Sequence, residues 1–86
     1  MFVLSRTVAA ELRSLAARKR ISKTEIARQT GLSLTTVQRS FAADRKITLD
    51  DLQMLTTALN TSAGEIVKRA EESLATAALT RGDDAA

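Results

Sequence analysis

The stretch SKTEIARQTGLSLTTVQRSFA, residues 22–42, constrains the fold more than any other, because it spells two short helices with room for only a tight turn between them. Ser22 and Glu25 have the S-x-x-E spacing of a capping box, in which the hydroxyl takes an exposed amide and the carboxylate reaches back to the cap. A helix is therefore predicted from Lys23. Gly31, eight residues on, tolerates the positive φ with which helices commonly stop. Ser33 then offers a fresh cap, so a second helix begins almost at once. Ile26 and Ala27 face inward from the first helix, Leu32 plugs the turn and Val37 faces inward from the second. The small Ala27 lets the two helices cross closely.

A step of about 100° per residue fixes which side of the second helix is exposed. With Val37 set at the core, Ser40 and Phe41 fall within about 60° of it, whereas Thr35 and Arg39 approach the opposite pole. Gln38, Thr36 and Ala42 lie on the flanks. The outward face is thus short, polar and hydrogen-bonding, with one arginine. Leu34 sits on the border, either packing inward or facing out.

Ile26-Ala27, Gly31-Leu32-Ser33 and Val37, in that order, resemble the helix-turn-helix of the phage Cro and C1 repressor family, and the likeness covers roughly residues 6 to 70. The resemblance implies an all-α fold, a compact five-helix bundle of the lambda-repressor-like DNA-binding type, with residues 33–42 as its recognition helix. In the major groove Arg can bond guanine, Gln can bond adenine, and Thr can offer its hydroxyl or its methyl. On that footing Ser33, Leu34, Thr35, Gln38 and Arg39 are the expected base readers, Leu34 through a thymine methyl if it faces out. In the family the residue matching Lys23 touches the sugar-phosphate backbone, so Ser22 and Lys23 are expected to hold a phosphate, with Arg45 and Lys46 holding a second. Relatives commonly carry a polar residue at the Leu34 position, Glu-Asn-Gly at the end of the recognition helix and a proline before the next helix. None of these occurs here.

The charge is divided along the chain. Residues 1 to 47 hold ten Lys or Arg against three carboxylates, a balance of +7, and residues 48 to 86 hold three against seven, a balance of −4. Such a chain would meet a polyanion with its first half, unless the charges serve only solubility. A first helix is predicted from Ser5 or Arg6 to Lys19, with Val8, Leu12, Leu15 and Ala16 as its buried stripe. Its end, Arg18-Lys19-Arg20, precedes the Ser22 cap, where free amides and cations together favour an anion. Phe2, Val3 and Leu4 either fold back over this helix or pack on a second copy of the chain.

Thr48 caps a fourth helix with Leu49, Leu52, Leu55 and Leu59 on its buried side, ended by Asn60 in a left-handed conformation. Ser62 and Glu65 repeat the capping-box spacing, and a fifth helix follows from about Ala63 toward Leu79. Ile66 and Val67 close the core. Nothing remains in the chain to cover Leu74, Ala77 and Ala78, which form either a two-fold dimer surface or a frayed alanine-rich tail. A dimer would set two recognition helices one turn of duplex apart. The domain is expected over residues 1–80, with 81–86 a disordered polar tail.

With no Cys and no His, the chain has neither disulfides nor thiolate or imidazole metal ligands. No Ser, Lys or carboxylate pairs a nucleophile with a base, so an enzyme is not expected, nor a metal, a cofactor or a small-molecule ligand. No apolar run is long enough to span a bilayer, and MFVLS is too short for a signal peptide, which makes a cytoplasmic protein the default. The expected function is sequence-specific binding of operator DNA by a phage or bacterial repressor. The alternative is an antitoxin or adaptor that uses the same bundle to grip a protein.

Overall fold

A computed structural model describes the backbone of residues 3–44 and 46–85, with side chains as far as Ala77. Its elements are α1 (Val3–Lys19), α2 (Lys23–Thr30), α3 (Leu34–Phe41), α4 (Leu49–Ala58) and α5 (Ala63–Ala85). The described residues contain no strand. The fold is the five-helix, all-α bundle expected from the sequence.

Local chemistry sets where each helix starts. The hydroxyls of Ser22, Ser33, Thr48 and Ser62 accept from the amides of Glu25, Thr36, Asp51 and Glu65 at 3.0–3.1 Å. Only half of each capping box forms, however. Glu25 turns forward to bond Arg28 and Gln29, and Glu65 turns forward to Arg69. The next turn of the helix offers each carboxylate a charged partner, and a charge-assisted bond outcompetes a neutral amide.

Each of the first four helices stops in a residue with positive φ: Arg20 at 57°, Gly31 at 78°, Ala43 at 63° and Asn60 at 57°. At the non-glycine positions the following amide reaches back across the turn. Ile21 N–H bonds Ala16 O at 3.0 Å, Asp44 N–H bonds Arg39 O at 3.0 Å and Thr61 N–H bonds Thr56 O at 2.9 Å. This closure satisfies carbonyls that a helix end otherwise leaves bare. The α3–α4 turn thus keeps the left-handed closure of a glycine turn although alanine occupies it.

The core is built from the predicted stripes: Leu12, Ile26, Val37, Phe41, Leu55, Leu59, Ile66 and Ala70 are all sealed from solvent. Burying one large apolar side chain of this kind contributes about 1.5–3 kcal/mol. The helix α5 lies against α1 and touches α4, α2 packs on α3 and α4, and α3 also rests on α1. The small Ala9 of α1 and Ala70 of α5 are both fully buried.

Three expectations are corrected. The first helix begins at Val3 rather than at Ser5 or Arg6, so Val3 and Leu4 form its exposed first turn, whereas Phe2 lies outside the described residues. Ser5 sits inside α1, where its hydroxyl accepts the Ile47 amide at 3.1 Å and ties down the loop after α3. Leu49, expected in the core, is 81% exposed. By steps of about 100°, Leu52 and Leu59 lie within about 60° of Leu55, but Leu49 falls about 120° away. Finally, α1 covers part of the surface that the sequence left bare: Leu74 and Ala77 are half-buried, and Ser73 shares a groove with Val3, Arg6 and Ala10. The Ala78 side chain lies outside the described residues.

Candidate nucleic-acid interface

The two short helices α2 and α3 pack on each other as the motif predicts, with Ile26 and Val37 sealed between them and the core, and with Ala27 and Leu32 half-buried against it. Gly31 joins them in the left-handed region, its amide donating to Ala27 O at 2.9 Å. This fixes the rotation of α3. Val37, Ser40 and Phe41 are buried, while Thr35, Gln38 and Arg39 are exposed. Leu34 is 41% exposed, so it leans on the protein and still offers apolar surface to a partner.

A cleft of about 460 Å³ brings part of each predicted set together, because Ser22 and Lys23, with Thr24, at the start of α2 share its walls with Leu34 and Gln38 of α3. Ile21 and Phe41 form part of its apolar lining. Thr35 and Arg39 are exposed on α3 outside it, as is Ser33, whose hydroxyl both caps Thr36 N–H and donates to Thr36 Oγ1 at 2.8 Å. Lys46 is exposed on the loop after α3, and Arg45 lies outside the described residues. Thr24 was not foreseen; its place one residue after Lys23 in the first turn of α2 is the signal that would have found it.

Not every cation of the basic half is directed at a partner. Arg13 donates to the carbonyl of Phe41 at the end of α3. Lys19 donates to the carbonyls of Leu59 and Asn60, which closes the end of α4, so it does not join the phosphate site expected of the Arg18-Lys19-Arg20 run. Arg28 pairs with Glu25, and this bond, helped by the Gln29 amide, holds the Glu25 carboxyl at about 2 and raises the Arg28 guanidinium. The charge that the sequence pooled is therefore partly structural.

A model of the Cro/C1-type HTH DNA-binding domain matches residues 11–72, from the middle of α1 into α5. The chain belongs to that family. No curated protein and no solved structure is significantly similar to it. As a Cro/C1-type HTH domain it is a DNA-binding regulator, and its partner is double-stranded DNA. Among the described residues no group of three His, Cys, Asp or Glu is placed to hold a metal ion, and no helix is long and apolar enough to cross a membrane.

Proposed function

We propose that this Cro/C1-type domain is a sequence-specific transcription regulator of phage or bacterial origin, most like Cro or a short immunity repressor, which occupies an operator in the cytoplasm and obstructs polymerase. One observation carries the reading: Leu34 and Gln38, at the edge of the exposed face of α3, border the same cleft as the capped, cationic start of α2. A helix laid in the major groove with its amino end toward the bases needs phosphate-holding groups beside it, and this arrangement supplies them.

Base readout is assigned to Leu34, Thr35, Gln38 and Arg39, with Ser33 contributing only what its capping bonds leave over. Phosphate positioning is assigned to Ser22, Lys23, Arg45 and Lys46. Ser22 keeps its hydroxyl proton available while its oxygen caps α2, so one side chain can start the helix and donate to an anion. The half-covered Leu74 and Ala77, with Ala78, are assigned to contact a second copy across a two-fold axis, which pairs two recognition helices on a palindromic site.

Selection of bound duplexes from a randomised library tests the reading. A palindrome with fixed half-site spacing is the expected result, and affinity for random duplex should fall steeply with salt. Arg39→Ala is expected to cost about 1–3 kcal/mol on the selected duplex and to relax preference at one base pair. Recovery of no enriched sequence would remove the regulator in favour of a protein-binding adaptor. A loss from Arg39→Ala that is equal on selected and random duplex would move Arg39 to the phosphate-contacting set.

A further inference from the structure

Arg13 stands in the middle of α1, yet it acts on the last residue of α3, 28 positions away, by donating from Nη1 to the carbonyl of Phe41. The backbone closure of that helix end uses the carbonyls of Gln38, Arg39 and Ser40, which take the amides of Ala42, Asp44 and Ala43. Phe41 O is the next in line, and it receives a guanidinium. A cation at this place also meets the negative end of the helix. Arg13 borders two grooves at once: the cleft shared by Ser22, Lys23, Leu34 and Gln38, and a second of about 570 Å³ shared by Arg6, Ala43 and Ser73.

From this geometry we infer that Arg13 is a positioning residue for sequence reading, one that fixes the exit end of α3 against α1 and so sets the register between the base-reading face and the phosphate-holding start of α2. The inference rests on α3 being the reading helix. The mechanical reason is short and local. The entry end of α3 is pinned by the Gly31 turn and the Ser33 cap, both within the motif, so a loosened exit end lets the eight-residue helix pivot about its entry. Such a pivot moves Gln38 and Arg39 away from base edges and leaves Lys23 where it was. Discrimination between sequences should suffer, while attraction to the phosphate backbone should persist.

The test compares wild type, Arg13→Gln and Arg13→Lys on the duplex that wild type enriches from a random library and on a scrambled duplex of equal length. Binding is measured across a salt series, well below the unfolding midpoint of each variant. In Arg13→Gln the ratio of selected to scrambled affinity should fall about tenfold, the size of one mismatched base pair. The slope of log affinity against log salt on scrambled duplex should not change. Arg13→Lys keeps a cation and a donor and should restore most of the ratio. An unchanged ratio in Arg13→Gln overturns the inference. So does an equal loss on both duplexes with a slope smaller by about 0.9, the mark of one lost phosphate contact. A wild-type protein that enriches no sequence sinks the assignment of α3 itself, and the role of Arg13 with it, which separates the two failures.

Discussion

The chain enters α3 through Leu32 and Ser33 and leaves it through Ala42 and Ala43, and the two turns are made by different means. The entry turn is assembled from its own residues: Gly31 adopts φ 78° without a side chain to strain it, Thr30 Oγ1 accepts the Leu32 amide at 3.2 Å, and Ser33 caps the new helix. The exit turn holds an alanine at φ 63°, closed locally only by backbone bonds such as Asp44 N–H to Arg39 O, and its side-chain support comes from distant parts of the chain, with Arg13 on the Phe41 carbonyl and Ser5 on the Ile47 amide. The side-chain bracing of the first turn is therefore a property of a motif and that of the second a property of the whole fold. For a helix that must be held at a defined angle, the exit is the end that mutation can loosen without touching the motif.

Substitution of the residues that flank the two turns tests this division. Phe41→Ala removes a fully buried ring at the exit and should destabilise by about 3–5 kcal/mol, whereas Leu32→Ala at the half-buried entry should cost clearly less. Urea unfolding of the two variants measures both, and equal losses would mean that the exit is no more dependent on the core than the entry. Smaller effects of opposite sign are expected from the turn residues themselves. A Cβ added at Gly31 meets no atom within 4 Å, so Gly31→Ala should carry only the backbone cost of the left-handed region, about 1–2 kcal/mol. Ala43→Gly relieves that same strain against a larger chain entropy, and a gain of up to about 1 kcal/mol is expected. A loss on Ala43→Gly would show that the exit turn is not strained.

The smallest effect belongs to the Glu25–Arg28 pair, which stiffens α2 just ahead of the entry turn. The Glu25 carboxyl lies at about 2, below its ordinary 4.5, because Arg28 and then Gln29 bond its charged form. A depressed value means that the contribution is complete above pH 4.5 and is lost as pH falls toward 2. Melting of wild type and Glu25→Gln between pH 5 and 2 should therefore converge at the acid end. The pair is solvent-exposed, so the difference at pH 5 should also shrink at high salt. A gap that stays constant with pH would assign the effect to something other than the carboxylate.

Much of this arrangement was legible in the residues. The caps at Ser22, Ser33, Thr48 and Ser62, the stop at Gly31 and the inward set Ile26, Val37 and Phe41 follow from short-range chemistry, and they decide which side of α3 faces out. What escaped the sequence is long-range or conformational. Arg13 and Lys19 read as surface charge, because nothing local announces that a carbonyl 28 or 40 positions away will need a donor. Arg20 and Ala43 give no sign of positive φ, since neither is a glycine or an asparagine; the backbone bonds across each turn outweigh the preference of the side chain. Leu49 misled for a geometric reason, because a leucine at every third position drifts off the buried stripe within two turns. The residues proposed for readout were legible only as a face, since which base a side chain on such a helix would meet depends on how the helix is docked.

The Ser40 hydroxyl is sealed inside the protein and has no hydrogen-bond partner among the described residues. An alanine at that position would fit the same space without stranding an oxygen, so the protein sits below the firmness its own architecture allows. That shortfall is an evolutionary reserve. A lineage that changes the exposed face of α3, and weakens the fold in doing so, can recover by one substitution on the hidden side of the same helix, away from that face.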